Sequence, residues 1–344
     1  MPCLFGIQFK DRTVATYQTE VSVDGFEVIR LGNPCLSISV MPQLGGKIYQ
    51  IVDLRTGRDW LWKNPHIALA HPSPGMDYDR ELDTGGWDEI LFSVKPCTLG
   101  LPGGTHFAIG DHGSVVGKPW LNIGSGVNTA GQAVCELLAE GQSPHFKLTR
   151  KIVLDAVQPR LDIEYSLANT GPTPWPWLWC AHPLFAIESN MRINLQEGQQ
   201  IRFMQDDDTK PATDQVWPKL AVPGGKNIDL AGIFEESTGP ATFCQKLFVR
   251  SGGKVNLCTG DGRESFNMMY DPGSVAWLGL WLNKNAWSGC DSEPYLNLGL
   301  EPATAPYDKL SDAVRQGHAD FLQAGGSTDW SLSISLLNTA DTHD

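Results

Sequence analysis

Apolar and polar residues alternate with a period of two along much of this chain. Leu161 to Leu167 (LDIEYSL) alternates without a break, and Ser331 to Leu336 (SLSISL) repeats the pattern near the C-terminus. That period marks a half-buried antiparallel strand, with one face on a core and the other toward water. Phe146, Leu148, Ile152 and Leu154 predict another strand, with Thr149-Arg150-Lys151 interrupting the alternation. Lys47 to Leu54 (KIYQIVDL) predicts a further one. Val275 to Leu282 (VAWLGLWL) is apolar on both faces and predicts a central strand between two packed layers. Gly45-Gly46, Gly85-Gly86, Gly103-Gly104, Gly252-Gly253 and Gly325-Gly326 punctuate the chain as turns or bulges. The best helical segment, roughly Tyr307 to Gln323, has loosely spaced apolar residues and is broken by Gly317. The expectation is an all-β chain forming one domain over 1–344. Two large antiparallel sheets pack face to face as a β-sandwich, with few short helices.

Charge narrows the partners. The 344 residues carry a net charge of -13. Phosphate recognition needs clustered Lys and Arg, so nucleic acid and anionic membrane surfaces are disfavoured. The opening MPCLFGIQFKDRTVATYQ has no basic stretch followed by an apolar run, and no window approaches a membrane-spanning length. Eight scattered cysteines form no C-x-x-C. Reduced thiols and a cytoplasmic location are therefore expected.

Motifs for nucleotide, zinc-protease and α/β-hydrolase chemistry are missing from the sequence. His66 and His71, in PHIALAHP, read as a surface loop rather than a metal pair, because no third ligand follows at suitable spacing. Three stretches carry candidate chemistry. They are Asp111-His112-Gly113, then Ala181-His182-Pro183-Leu184-Phe185 after a tryptophan-rich strand, and Leu298 to Pro306, where Glu301 ends an apolar strand. Taken singly, each also fits a turn histidine, a core histidine or a solvated strand end. Twelve tryptophans suit stacking on sugar rings or filling a large core.

In order, these stretches resemble the aldose 1-epimerase (galactose mutarotase-like) family. The resemblance runs through GGKIYQIVDLRTGRDWLW, GGWDEILFSV, DHGSVVGKPW, LDIEYSLANTGPTPWPWLWCAHPLF, LNLGLEPATAPYD and GGSTDWSLSISL. It implies a large antiparallel supersandwich with an open sugar cleft. It also implies Glu301 as general base, His182 as general acid and His112 as an assisting group on the ring-oxygen side. The sequence departs from the family pattern in places. Ser93 stands where proline is common, and His182 is followed by Pro-Leu-Phe-Ala. Arg80 is a stand-in for an absent Asn-Arg pair, and Asp229 is the candidate for the family's substrate-binding aspartate. Trp87 and Asp88 or Glu89, in GGWDE, are further substrate-binding candidates. Alternation allows only one of the two carboxylates to face the cleft.

The chemistry explains these residue types. Exchanging the anomers of an aldose requires removing a proton from the C1 hydroxyl and protonating the ring oxygen. One base and one acid suffice, and no metal or redox cofactor is needed. Three alternatives stand beside this reading. The first is a sugar-binding or sugar-sensing protein without catalysis. The second is a glycoside hydrolase pairing Glu301 with Asp88 or Glu89. The third is a mutarotase for anionic sugars, using Arg80 and Lys118.

Overall fold

The computed structural model describes residues 15–21, 25–73, 76–100, 106–203, 215–222, 225–289 and 292–339. Gly103-Gly104, Cys3, Cys290 and the first fourteen residues lie outside them. Two large antiparallel sheets dominate the described residues. The larger runs through Thr16–Val21, Glu27–Gly32, Leu36–Met41, Lys47–Asp53, Trp87–Leu91, Trp179–Ala186, Leu296–Ala303, Trp277–Lys284, Phe243–Arg250 and Gln200–Phe203, and ends in three two-residue strands. The second contains Ala133–Gln142, His145–Leu154, Arg160–Asn169, Ser327–Asn338, Glu264–Tyr270 and Lys254–Cys258 in spatial order. One continuous apolar core joins the inner faces of both sheets, including Leu91, Phe185, Leu300 and Leu280 from the first and Leu148, Ile163, Phe266 and Ile334 from the second.

The alternating segments fold as their period dictates. LDIEYSL lies inside Arg160–Asn169 and SLSISL inside Ser327–Asn338, with these two strands paired to each other. Three expectations change. Arg150 does not interrupt its strand. It occupies an inward position of His145–Leu154 and is 0% exposed, because its charge is matched inside the core. Between Tyr307 and Gln323, helix forms only over Leu310–Arg315. Gly317 then takes a positive φ and the chain turns into the short strand Asp320–Leu322, which pairs with Trp175–Trp177. Trp277–Lys284 is apolar on both faces for a different reason than two packed layers. Leu278, Leu280 and Leu282 enter the core, whereas Gly279 and Trp281 lie on the opposite face beside Glu301, and Trp281 borders a cleft.

Parity fixes the two faces of the middle strands. In Trp87–Leu91 and Trp179–Ala186, the residues Trp87, Glu89, Trp179, Ala181 and Phe185 share the inner face, and Asp88 and His182, directly paired, share the outer one. A salt bridge sits between the sheets. Arg150 Nη1 donates to Glu89 Oε1 at 3.2 Å, while Tyr165 Oη and Trp179 Nε1 donate to the same carboxylate at 2.8 and 2.9 Å. Arg150 also donates to the carbonyl of Gly46 and lies over the Trp120 ring. Buried charge persists where most of its lone pairs and protons are matched in this way, although Arg150 Nε has no hydrogen-bond partner.

Candidate active site

The outer face of the larger sheet carries the candidate residues. Trp179–Ala186 pairs with Leu296–Ala303 in the register Cys180↔Ala303 and Leu184↔Gly299, which sets His182 opposite Glu301. His182 Nε2 stands 3.8 Å from Glu301 Oε1. On the other side, Glu301 pairs with Gly279, and Gly279 in turn with Phe248 of Phe243–Arg250. Because Gly279 has no side chain, Lys246 reaches across the intervening strand and ion-pairs with Glu301 Oε2. Glycine inside a strand commonly marks such a close approach. Gly299 clears the other flank. A methyl group there would sit 2.5 Å from Glu301 Oε1 and 2.9 Å from Trp281 Cβ. Gly299→Ala should therefore displace the carboxylate and lower stability by about 1–3 kcal/mol through overpacking. Urea denaturation reads the stability, and a shifted Glu301 in a crystal structure of the variant reads the displacement.

His112 comes from a loop rather than a strand. It adopts φ 52°, and Gly113 after it has φ 82°. A side chain at Gly113 would run into the carbonyl of Leu91. His112 Nδ1 and Asp111 Oδ1 are 3.1 Å apart, and the imidazole stacks on Tyr78 with ring centres 3.5 Å apart. The His182 ring meets His112 edge-on at 5.5 Å. Tyr78 closes the floor. Its hydroxyl donates to Asp88 Oδ2 at 2.7 Å, and Lys47 Nζ donates to the same oxygen at 2.6 Å.

Glu301, the two histidines and Tyr78 line a cleft of about 280 Å³. That is just below the roughly 300–1,000 Å³ typical of small-molecule sites. Glu301, His182, His112, Lys246, Asp308, Asp83, Asp79, Asp111, Lys95 and Tyr78 give it polar walls, and Trp281, Trp287, Leu184 and Val94 give it apolar ones. Among the described residues, Glu301 Oε1, His182 Nδ1 and Asp308 Oδ1 are buried without a hydrogen-bond partner. Leaving such groups unmatched is costly, so a cluster of them marks a place where a polar ligand completes the bonding.

The electrostatics assign charge states. Burial alone would raise the Glu301 carboxyl pKa, but the Lys246 ammonium in contact with it outweighs burial and holds the pKa below the usual value. Lys246 is the converse, lowered by burial yet raised overall by Glu301 and Asp308. Burial, helped by the neighbouring Lys246 ammonium, pushes His182 down to about 4 despite Glu301. Its imidazole is therefore neutral near pH 7, not an imidazolium. Burial also raises Asp79 and Asp308, and pushes Asp83 up to about 6 against the pull of Lys47.

A pH consequence follows. The unfolded chain protonates His182 near 6.5 and the folded chain only near 4. The stability from burying it neutral is complete above 6.5 and is lost as pH falls toward 4, up to about 3 kcal/mol. Asp83 has the opposite sign between about 6 and its ordinary value of 3.8, so the two groups largely offset each other. Nitrogen-15 NMR of the imidazoles should show His182 neutral at pH 6, with a midpoint near 4. A midpoint near 6.5 would overturn this assignment.

The cleft brings together Glu301, His182 and His112, and leaves out the other sequence candidates. Trp87 is 0% exposed and belongs to the core between the sheets, so it cannot stack on a ligand. Asp88 faces the cleft side but is covered by Tyr78 and held by Lys47, and Glu89 points into the core. Arg80 is exposed on the short π-helical turn Tyr78–Leu82, in a shallow groove beside the cleft. Asp229 is exposed, bonds Arg192 at 3.2 Å and lies outside the cleft lining. Lys246, Asp308 and Trp281 were not singled out from the sequence. The visible signal for Lys246 was a pair of glycines, Gly279 and Gly299, inside otherwise apolar strands. Ser93 acts as a tie. Its hydroxyl, with one proton to share, lies 2.6 and 2.9 Å from the Lys95 and Asp308 carbonyls, which ties the segment carrying Asp308 to the one carrying Lys95.

No family model and no curated protein matches this sequence. Solved structures match it across nearly its whole length. A provisionally named aldose 1-epimerase from Klebsiella pneumoniae is 14% identical with a TM-score of 0.71, covering 95% of this chain and 84% of its own. A galactose mutarotase-like protein from Clostridium acetobutylicum is 12% identical with a TM-score of 0.66, covering 94% and 99%. Another provisionally named aldose 1-epimerase, from Escherichia coli K12, is 15% identical with a TM-score of 0.61, covering 94% and 99%. The chain thus has the galactose mutarotase-like fold, a large antiparallel β-sandwich. At such identities the likeness is one of fold.

Proposed function

We propose that this protein is an aldose 1-epimerase acting on a free sugar in the cleft of Glu301, His182 and His112. The observation carrying this reading is the unpartnered Oε1 of a buried, ionised Glu301, set 3.8 Å from an imidazole in a sugar-sized cavity. Glu301 removes the proton of the C1 hydroxyl, and the C1 to ring-oxygen bond opens. His182, an uncharged imidazole, hydrogen-bonds the ring-oxygen side through its N–H, and His112 supports the same region. Trp281 and Trp287 supply apolar surface for the C–H face of the sugar.

The rival enzyme readings lose their specific residues. A glycoside hydrolase needs two free carboxylates, and both proposed partners of Glu301 are engaged elsewhere, Asp88 by Lys47 and Tyr78 and Glu89 by Arg150. A site for phosphorylated sugars should gather cations, yet five carboxylates line the cleft against Lys95 and Lys246, and neither Arg80 nor Lys118 lines it. Saturation-transfer NMR on D-glucose, D-galactose, D-xylose, a uronic acid and a hexose 6-phosphate tests the reading. Acceleration of anomer exchange for a neutral sugar is expected. Binding of these sugars with no acceleration would instead identify a sugar-binding protein on the same scaffold.

A further inference from the structure

We propose that Lys246 is the proton donor to the ring oxygen, working as a contact pair with Glu301. This rests on the mutarotase reading and adds a catalytic residue to it. Lys246 lines the cleft, its side chain is 13% exposed, and it ion-pairs with Glu301 Oε2 while Oε1 remains without a partner. One carboxylate oxygen is thus engaged by the ammonium, and the other, buried at the cleft wall, keeps its hydrogen-bonding capacity unused. The two oxygens on C1 of an aldose are neighbours on one carbon. A carboxylate and an ammonium held side by side match them as acceptor and donor. His182, the other candidate donor, is an uncharged imidazole in this cleft.

The proton balance closes within the pair. The C1 hydroxyl proton passes to Glu301 Oε1, and the electrons of that O–H bond form the C1 carbonyl. The C1 to ring-oxygen bond breaks with its pair on the ring oxygen, which takes a proton from Lys246 Nζ. The products are the open-chain aldehyde, a Glu301 carboxylic acid and a neutral Lys246 amine. The last two are in contact, so the proton returns from the acid to the amine. Rotation about C1–C2 and the reverse sequence give the other anomer. The environment helps at the right moment. Glu301 is the charge that most raises the Lys246 pKa, and burial lowers it. Once Glu301 is protonated, burial prevails and the ammonium becomes a stronger acid.

Lys246→Arg separates donation from positioning. Arginine keeps the charge and the carboxylate contact but does not release a proton in proteins. The probe is whichever neutral aldose of the panel the wild type accelerates. Lys246→Arg and Lys246→Met should each lower kcat by roughly 10²-fold or more, with KM changed by less than about threefold. Ethylamine added to Lys246→Ala should restore part of the rate, with the gain depending on the pKa of the amine used. If Lys246→Arg retains activity within about threefold of wild type, Lys246 only positions Glu301 and the proposal fails alone. If the wild type accelerates none of the sugars, the mutarotase reading fails and this assignment with it. Should Lys246→Met not fold, Lys246→Arg, which leaves no unpaired charge, still decides.

Discussion

Glu301→Gln should lower anomer exchange by roughly 10²–10⁴-fold, the range expected when a positioned base is removed. Glutamine keeps the shape but cannot accept the C1 hydroxyl proton. The substitution also strands a cation, because Lys246 loses the carboxylate it contacts. Breaking a buried ion pair from one side typically costs about 3–5 kcal/mol. Lys246 would escape part of that by shedding its proton, since burial already pulls its pKa down. Activity must therefore be read on protein shown to be folded by denaturant titration. The double variant Glu301→Gln with Lys246→Met removes both members of the pair. It should recover much of the lost stability and none of the activity. A folded Glu301→Gln protein with full exchange rate would refute the assignment of the base.

Arg150→Met should destabilise the core by about 3–5 kcal/mol. It removes the only cation bonded to Glu89 among the described residues and leaves a carboxylate that is 0% exposed, with Tyr165 and Trp179 as its remaining donors. Burial already holds the Glu89 pKa above its ordinary value even with Arg150 present. Without the guanidinium, that pKa rises further and the folded state takes up a proton the unfolded state does not hold at neutral pH. The deficit should accordingly shrink as pH falls from 7 to 5, the reverse of ordinary acid destabilisation. Urea midpoints for wild type and variant at the two pH values would check the sign. A deficit that grows on acidification would mean that Glu89 stays ionised. Arg150→Met with Glu89→Leu should be far less damaged than Arg150→Met alone.

Much of the fold was legible because strand parity is a local property. Alternation located the Arg160–Asn169 and Ser327–Asn338 strands, and it also required Asp88 and Glu89 to part company. Where the reading failed, a distant partner decided. Arg150 looked like a break in its strand because its neutraliser, Glu89, lies 61 residues earlier on the opposing sheet. Trp87 looked available to a sugar because nothing in GGWDE says which face holds the core. The histidines and Glu301 stood out by residue type and order, but their convergence needed the register of Trp179–Ala186 against Leu296–Ala303. Lys246 was hidden more deeply, two strands away from Glu301 and admitted only by the missing side chain of Gly279. The short helix was overestimated because a few apolar residues with loose spacing cannot outvote a glycine with positive φ and a strand partner at Trp175–Trp177.

Glu301, His182 and Lys246 hang from the paired strands of a single sheet, whereas His112, Lys95, Asp111 and Trp287 arrive on the surrounding connections. The strand-borne part and the loop-borne part of the cleft are therefore different pieces of chain. Exchanging the segments around Lys95, Asp111 or Trp287 would redraw the walls a ligand meets while the carboxylate, imidazole and ammonium kept their mutual spacing. Such a layout makes the cleft modular. The range of molecules admitted can drift by loop replacement, whereas the spacing of Glu301, His182 and Lys246 changes only if the register of the sheet itself is lost.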